Sequence, residues 1–258
     1  MNLRRPWGQT HYLDDGDGPL VVCLHPLAAS GQLWRPLIDE LREEHRVVAP
    51  DARGHGASSW DGEQFSVADL ADDVAALVSH LDAGPARLIS LSMGGCTAVD
   101  LAARHPGTVH SLVLADTTAD YGPGKEEVWA ERADKAINVP RAKQLGFQVD
   151  RWFTPDFAAS DPEEVERVSS IFLDTDGRAH AAACRALGAF DDRDLLGNID
   201  APTLVLVGED DYATPPEMAR TLNDGIADSS LHILPDTRHM SLIESPTARS
   251  LVRKHLLR

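Results

Sequence analysis

The chain has 258 residues, 43% hydrophobic and 25% charged, an ordinary globular composition with enough length to bury a core as one large domain or two small ones. Acidic residues outnumber basic ones 41 to 24, and the resulting formal charge of −17 repels phosphate backbones and anionic headgroups, so neither nucleic acid nor a membrane surface is an expected partner. Three scattered cysteines, Cys23, Cys96 and Cys184, are too few for a disulfide framework and form no CxxC pair for zinc or redox chemistry. The opening MNLRRPWGQT carries two arginines with no apolar segment behind them, and no uncharged run is as long as a membrane span. A soluble protein of the cytoplasm is the expectation.

In chain order, the first strong signal is residues 20–24 (LVVCL), too short for a helix and apolar throughout, as a strand buried on both faces must be. Residues 46–49 (RVVA) and 86–89 (ARLI) read likewise. Between them Val67, Leu70, Val74, Leu77, Val78 and Leu81 fall at helical spacing, with Asp69, Asp72 and Asp73 elsewhere on the turn and Ser66 placed as the cap. Strands at 111–115 (SLVLA), 203–207 (TLVLV) and 231–234 (LHIL) follow. Strands alternating with helices imply an α/β fold with a mostly parallel sheet. From 117 to 196 the strand signal stops, and helical stretches carrying Trp129, Trp152 and Phe153 are interrupted by Pro140, Pro155 and Pro162. The expected organisation is a core of 1–116 and 197–258 with a helical lid, 117–196, inserted over the sheet edge where such folds bind ligands.

The chemistry-bearing segment is Ser90-Leu91-Ser92-Met93-Gly94-Gly95, between the strand at 86–89 and a helical stretch over 96–103. Strand, tight turn and helix match a GxSxG nucleophile elbow with Ser92 as nucleophile, except that Ser90 occupies the first glycine position. A serine hydroxyl needs a base, and the base an orienting acid, on later loops at the same sheet edge. After 203–207 come Asp210 and Asp211, either of which is a candidate acid; after 231–234 comes His239, the candidate base. Among the other histidines, His232 lies in a strand, and His80, His105, His110, His180 and His255 lie in or near helices and are read as solvated surface; only His25 and His55 share the edge loops with His239. An oxyanion hole requires two backbone donors: Met93, after the nucleophile, and Leu27, since Pro26 has no N–H. Ser30 is placed to cap the next helix and His25 to organise the loop.

These residues resemble the α/β-hydrolase family over essentially the whole chain, through His25-Pro26-Leu27, Trp34, Asp51 to Ser58, the Ser92 elbow, Gly208 to Asp211 and His239 to Pro246. The resemblance implies that the acid is Asp211 and that Asp51 and His55 are structural rather than a metal pair. A narrower resemblance, through Trp129-Ala130-Glu131-Arg132, Arg151-Trp152-Phe153-Thr154-Pro155 with Phe157, and Ala201-Pro202-Thr203, is to 3-oxoadipate enol-lactonases. It implies a small carboxylate-bearing lactone as substrate, Trp129 and Trp152 as pocket residues, and Arg132 as a partner for a substrate carboxylate. Ser90 and the His25-Pro26 loop depart from those lactonases. The expected reaction is hydrolysis of a small ester or lactone through an acyl-serine, without metal or cofactor; a methyl-ester or carbon–carbon bond hydrolase is one alternative, and a small-molecule receptor on the same scaffold is another. Haloalkane or epoxide hydrolysis needs a carboxylate at the elbow and is disfavoured by Ser92.

Overall fold

The computed structural model describes residues 1–257. Eight strands form one sheet: β1 (Asn2–Arg5), β2 (Gly8–Asp15), β3 (Leu20–Leu24), β4 (Arg46–Pro50), β5 (Ala86–Leu91), β6 (Val109–Ala115), β7 (Thr203–Gly208) and β8 (Ser229–Leu234), in the order β1-β2-β4-β3-β5-β6-β7-β8. From β4 to β8 all pairings are parallel, so the loops following β3, β5, β7 and β8 emerge at one edge. Both β1 and β2 pair antiparallel at the rim. They escape the search for apolar runs because NLRR and GQTHYLDD never need to bury both faces; β2 buries only Thr10 and Tyr12, both on one face.

Helices cover the two faces of the sheet. Along β3 the pleat sends Leu20, Val22 and Leu24 to one core and Val21 and Cys23 to the other, which is why its sequence is apolar throughout. The first core packs under α2 (Val67–Leu81), α3 (Met93–Arg104) and α9 (Pro216–Gly225), the second under α1 (Arg35–Leu41) and α11 (Pro246–Leu256). Helix α2 starts with a reciprocal capping box, Ser66 accepting from the Asp69 amide and Asp69 from the Ser66 amide. Ser30, by contrast, makes no side-chain cap; the Gly31 N–H donates to Asp51 Oδ1 at 2.6 Å, so a carboxylate from the neighbouring loop does that work.

Asp73 departs from the polar-face reading of α2. It is buried and accepts from Trp7 Nε1 at 2.9 Å, Arg5 Nη2 at 3.0 Å and Arg53 Nε at 2.6 Å, fastening the sheet rim and the 51–58 loop to the helix.

Between β6 and β7 stand α4 (Lys125–Asn138), α5 (Arg141–Trp152), α6 (Pro155–Ser160), α7 (Pro162–Asp174) and α8 (Gly177–Ala189), then a 3-10 turn, Arg193–Asn198. The prolines that interrupt the sequence pattern are helix starts: Pro140 precedes α5, and Pro155 and Pro162 open α6 and α7, where a missing N–H costs nothing. Helix α8 is rich in buried alanine and lies along α4, with Gly188 admitting the Trp129 side chain. Hydrogen bonds tie these helices to the core: Thr175 Oγ1 to the Ala28 carbonyl at 3.0 Å, Arg167 Nη1 to the Gln32 carbonyl at 3.0 Å, and the Met240 N–H to the Trp152 carbonyl at 3.1 Å. α10 (Ser241–Glu244) joins this seam, Glu244 accepting from the Thr154 amide at 2.9 Å and the Arg238 amide at 3.0 Å. No helix among the described residues is long and apolar enough to cross a membrane.

Replacing Asp73 strands two guanidiniums and an indole N–H, so Asp73→Ala is expected to cost about 3 kcal/mol, the scale for breaking a buried ion pair, as a lowered urea midpoint. Burial, reinforced by the charge of the neighbouring Asp100 carboxylate, raises the Asp192 carboxyl to about 7. The folded protein therefore holds this proton more tightly than the unfolded chain, and stability from it is present at low pH and lost as pH rises through about 7. Asp192→Asn is expected to raise Tm relative to wild type at pH 8 but not at pH 4, by thermal denaturation at both.

Candidate active site

Ser92 sits between β5 and α3 with φ +53° and ψ −115°, a backbone state that projects its side chain away from both elements. Its N–H donates to the Ala115 carbonyl at 3.0 Å, and its carbonyl accepts from Thr117 Oγ1 at 2.7 Å, so the turn is pinned from β6. A Cβ on Gly94 would collide with the Leu24 carbonyl, and one on Gly95 would lie 2.5 Å from Thr117 side-chain atoms. Those positions must be glycine because α3 passes directly against β3 and Thr117 in the loop after β6. The serine at position 90 fits: its hydroxyl, fully buried, donates to the Val113 carbonyl at 2.5 Å.

The loops after β7 and β8 bring two side chains to Ser92. His239 Nε2 lies 3.0 Å from Ser92 Oγ, and its Nδ1 lies 2.8 Å from Asp211 Oδ2. Asp211 also accepts from Thr214 Oγ1 at 2.8 Å and from the Ala213 and Thr214 amides at 2.7 and 3.1 Å. Burial alone would raise this carboxyl; the facing His239 and the Thr214 hydrogen bonds outweigh it and hold Asp211 below its ordinary value. Asp210 is exposed and turned away, its role limited to an N–H that donates to the Thr237 carbonyl. Behind the three lies Asp116, fully buried, whose carboxylate oxygens accept from Gly208 N at 3.1 Å and Ser241 N at 2.9 Å and so join both loops. Burial, reinforced by the neighbouring Asp211, raises the Asp116 carboxyl well above its usual range. Thr214 and Asp116 carry no motif, and sequence reasoning gave neither a role.

His25 orients the loop after β3. The Ala52 N–H donates to its Nε2 at 3.0 Å, which fixes the proton on Nδ1, and that N–H donates to the Pro26 carbonyl at 2.8 Å. Across a planar trans peptide the Leu27 N–H points opposite to that carbonyl. Leu27 lines the chamber at Ser92, and neither its amide nor that of Met93, the first residue of α3, meets an acceptor among the described residues. Asp51 and His55 are structural: Asp51 accepts from the Gly31 and Ala57 amides and from His11, and His55 Nδ1 bonds the Arg53 carbonyl.

The cavity has an inner chamber of about 30 Å³ beside Ser92 and His239 and a vestibule of about 550 Å³ between α4, α5 and Tyr212. Tyr121, Trp129, Arg132, Gln148, Arg151 and His180 line both and form the neck between them. Trp129 is buried edge-on against Tyr121 at 4.8 Å and carries the Arg132 guanidinium on its ring at 4.1 Å; Trp152 packs in the chamber wall against Phe172 at 5.5 Å. Desolvation, with Arg151 nearby, pushes Arg132 down to about 10, and burial lowers Arg151 as well.

The surface reading of two helix histidines is corrected. His180 and His255 are buried, because the faces of α8 and α11 that carry them turn inward. Arg141 Nη1 donates to His180 Nδ1 at 3.1 Å, so the remaining proton sits on Nε2, and desolvation together with Arg141 keeps the imidazole neutral by pushing it well down. Among the described residues, no aspartate or glutamate lines the chamber or the vestibule.

The alpha/beta hydrolase fold family model matches residues 19–246. The 3-oxoadipate enol-lactonase 2 of Acinetobacter baylyi is 31% identical over 232 residues, covering 90% of this chain and 86% of that protein. Among solved structures, the enol-lactonase from Burkholderia xenovorans superposes with a TM-score of 0.91 at 33% identity, covering 97% of each chain. A malate-bound thermophilic esterase from Thermogutta terrifontis does so at 0.90 and 27%, covering 100% of this chain and 98% of that one. With its sheet order, elbow and lid now explained by its own residues, the chain belongs to the alpha/beta hydrolase family and resembles the enol-lactonases within it.

Proposed function

We propose that the protein is a serine hydrolase that opens small lactones or esters carrying a carboxylate, in the manner of a 3-oxoadipate enol-lactonase. The observation that carries the reading is the continuous relay from Ser92 Oγ through both ring nitrogens of His239 to Asp211, placed at the end of a cavity lined by cations and no acids. The names of the relatives, enol-lactonase and malate-bound esterase, agree with a small anionic ligand.

In this reading Ser92 attacks the acyl carbon as His239 Nε2 takes its proton. Asp211 holds the imidazole tautomer and stabilises the imidazolium. Negative charge on the carbonyl oxygen is met by the Leu27 and Met93 amides, which have no internal acceptor to give up. The imidazolium protonates the leaving oxygen, and His239 then activates water to release the acid. The lid, 117–196, supplies the side walls: Trp129 and Trp152 exclude water, and Arg132 pairs with the substrate carboxylate.

Hydrolysis of 3-oxoadipate enol-lactone, set beside neutral lactones and methyl esters, tests the assignment. Ser92→Ala and His239→Ala are each expected to lower kcat by about 10⁴-fold or more without loss of fold. Turnover retained in either purified variant would remove the triad assignment, and exclusive turnover of neutral esters would remove the lactonase assignment. His25→Leu is expected to lower kcat about tenfold or more with a small change in KM, because the Leu27 amide loses its orientation while substrate contacts remain.

A further inference from the structure

Two imidazoles line the inner chamber, and the fold gives them opposite partners. His239 faces a carboxylate, Asp211, which lets the ring become cationic when it takes a proton. His180 faces a guanidinium instead. Arg141 Nη1 donates to His180 Nδ1 at 3.1 Å, and since a guanidinium can only donate, Nδ1 accepts and the one ring proton sits on Nε2. Arg141 is held in place by two further bonds, from Nε and Nη2 to the Phe172 carbonyl at 2.8 and 2.6 Å, and by the Phe172 ring 4.0 Å beneath it. Burial, then Arg141 on α5, His55 in the loop after β4 and Arg132 on α4, all oppose protonation of His180. The chamber therefore contains a donor that stays uncharged while a proton passes through the other ring.

That donor has nothing in the protein to bind. His180 Nε2 meets no acceptor among the described residues. The residue keeps 4% of its surface, and that surface faces the chamber and vestibule it lines. His55 Nε2, also unpartnered, is sealed inside the packing, whereas His180 Nε2 is not. An N–H fixed in a dry wall without an acceptor is costly until something entering the chamber supplies one. Its surroundings decide what that is. Phe172 stands edge-on to the imidazole at 6.2 Å, and Trp129 and Trp152 form adjoining walls, so the contact is to a single oxygen within an otherwise apolar surface. An anionic oxygen is better met by a guanidinium; a neutral imidazole N–H matches an uncharged carbonyl or hydroxyl.

We propose that His180 is a specificity residue whose Nε2–H donates to an uncharged oxygen, a ketone or hydroxyl, carried by the substrate beside its scissile ester, with Arg141 as the positioning residue that keeps the ring in this donor form. The inference rests on the proposed hydrolysis for the nature of the ligand and adds to it a choice among substrates. An oxygen that does not react is held equally before and during the reaction, so the contact lowers KM and leaves kcat nearly unchanged. A substrate of the same shape without that oxygen leaves the N–H unmet, which is how a polar group in a dry pocket rejects an analogue.

Paired esters test this: methyl acetoacetate against methyl butyrate, and methyl levulinate against methyl valerate, each pair differing only in a ketone. Turnover is measured on wild type, and Kd on Ser92→Ala by calorimetry, where the esters stay intact. The ketone of the better pair is expected to be favoured about tenfold in both measurements, in turnover mainly through KM. Adding His180→Leu to either protein should bring the two esters within about twofold of each other, while His180→Gln, which keeps a neutral donor, retains more of the preference. Arg141→Met should weaken the preference and mix the ring tautomers, read from the ring nitrogen resonances of His180, which in wild type show a single neutral Nε2–H form at neutral pH. Equal handling of both esters by wild type and Ser92→Ala, a preference unchanged by His180→Leu, or a wild-type ring that is cationic or protonated on Nδ1 overturns the proposal. A ketone preference in binding without turnover of any ester would instead sink the proposed reaction and leave the His180 contact standing.

Discussion

The site depends on how closely α3 can approach the sheet. Helix α3 begins at Met93, immediately after a residue held at positive φ, and the absence of a side chain at Gly94 lets it run against the Leu24 carbonyl. Without that approach Ser92 would not rise above the sheet edge, and the Met93 amide would not lie beside the loop that holds Leu27. The positive φ costs on the order of 1–3 kcal/mol, and the surrounding bonds from Ala115 and Thr117 over-determine it. Parallel strands do the rest, since every loop that carries a reacting group leaves the same edge.

Much of this was legible in the sequence because the constraints are local. Strand β3 buries both faces and is an unbroken apolar run, β6 and β7 carry the shorter runs LVLA and LVLV, and the chain must be small just after Ser92, so Gly94 and Gly95 stand there. The parts that were hidden are those settled by tertiary partners. Strands β1 and β2 have one wet side and no run to find. Asp73 looks like a surface residue until Trp7, Arg5 and Arg53, far away in the chain, converge on it. His180 sits in a helix with nothing to mark it, and only the packing of α8 against α4 turns it into the cavity. Ser30 has the residue type of a cap, yet Asp51 reaches the helix start first.

The electrostatics follow a division of labour that composition alone conceals. The large negative charge is spread over the outer surface and the structural ion pairs, while the cavity walls hold cations and neutral donors. The two carboxyls at the site are set by different means: Asp211 is held charged by its neighbours, and Asp116 behind it is pushed toward the neutral form by burial and by Asp211 itself. Two carboxyls can share this small volume because they do not carry full charge together.

The seam at Glu244 joins covering helices to catalytic loop through one side chain, with oxygen atoms on the Thr154 amide and on the Arg238 amide next to His239, and the Met240 amide on the Trp152 carbonyl beside it. Whatever swings that corner of the cover outward also drags the imidazole's own backbone. Under the proposed function such a displacement would part His239 from Ser92, so the relay would hold only while the cover is seated.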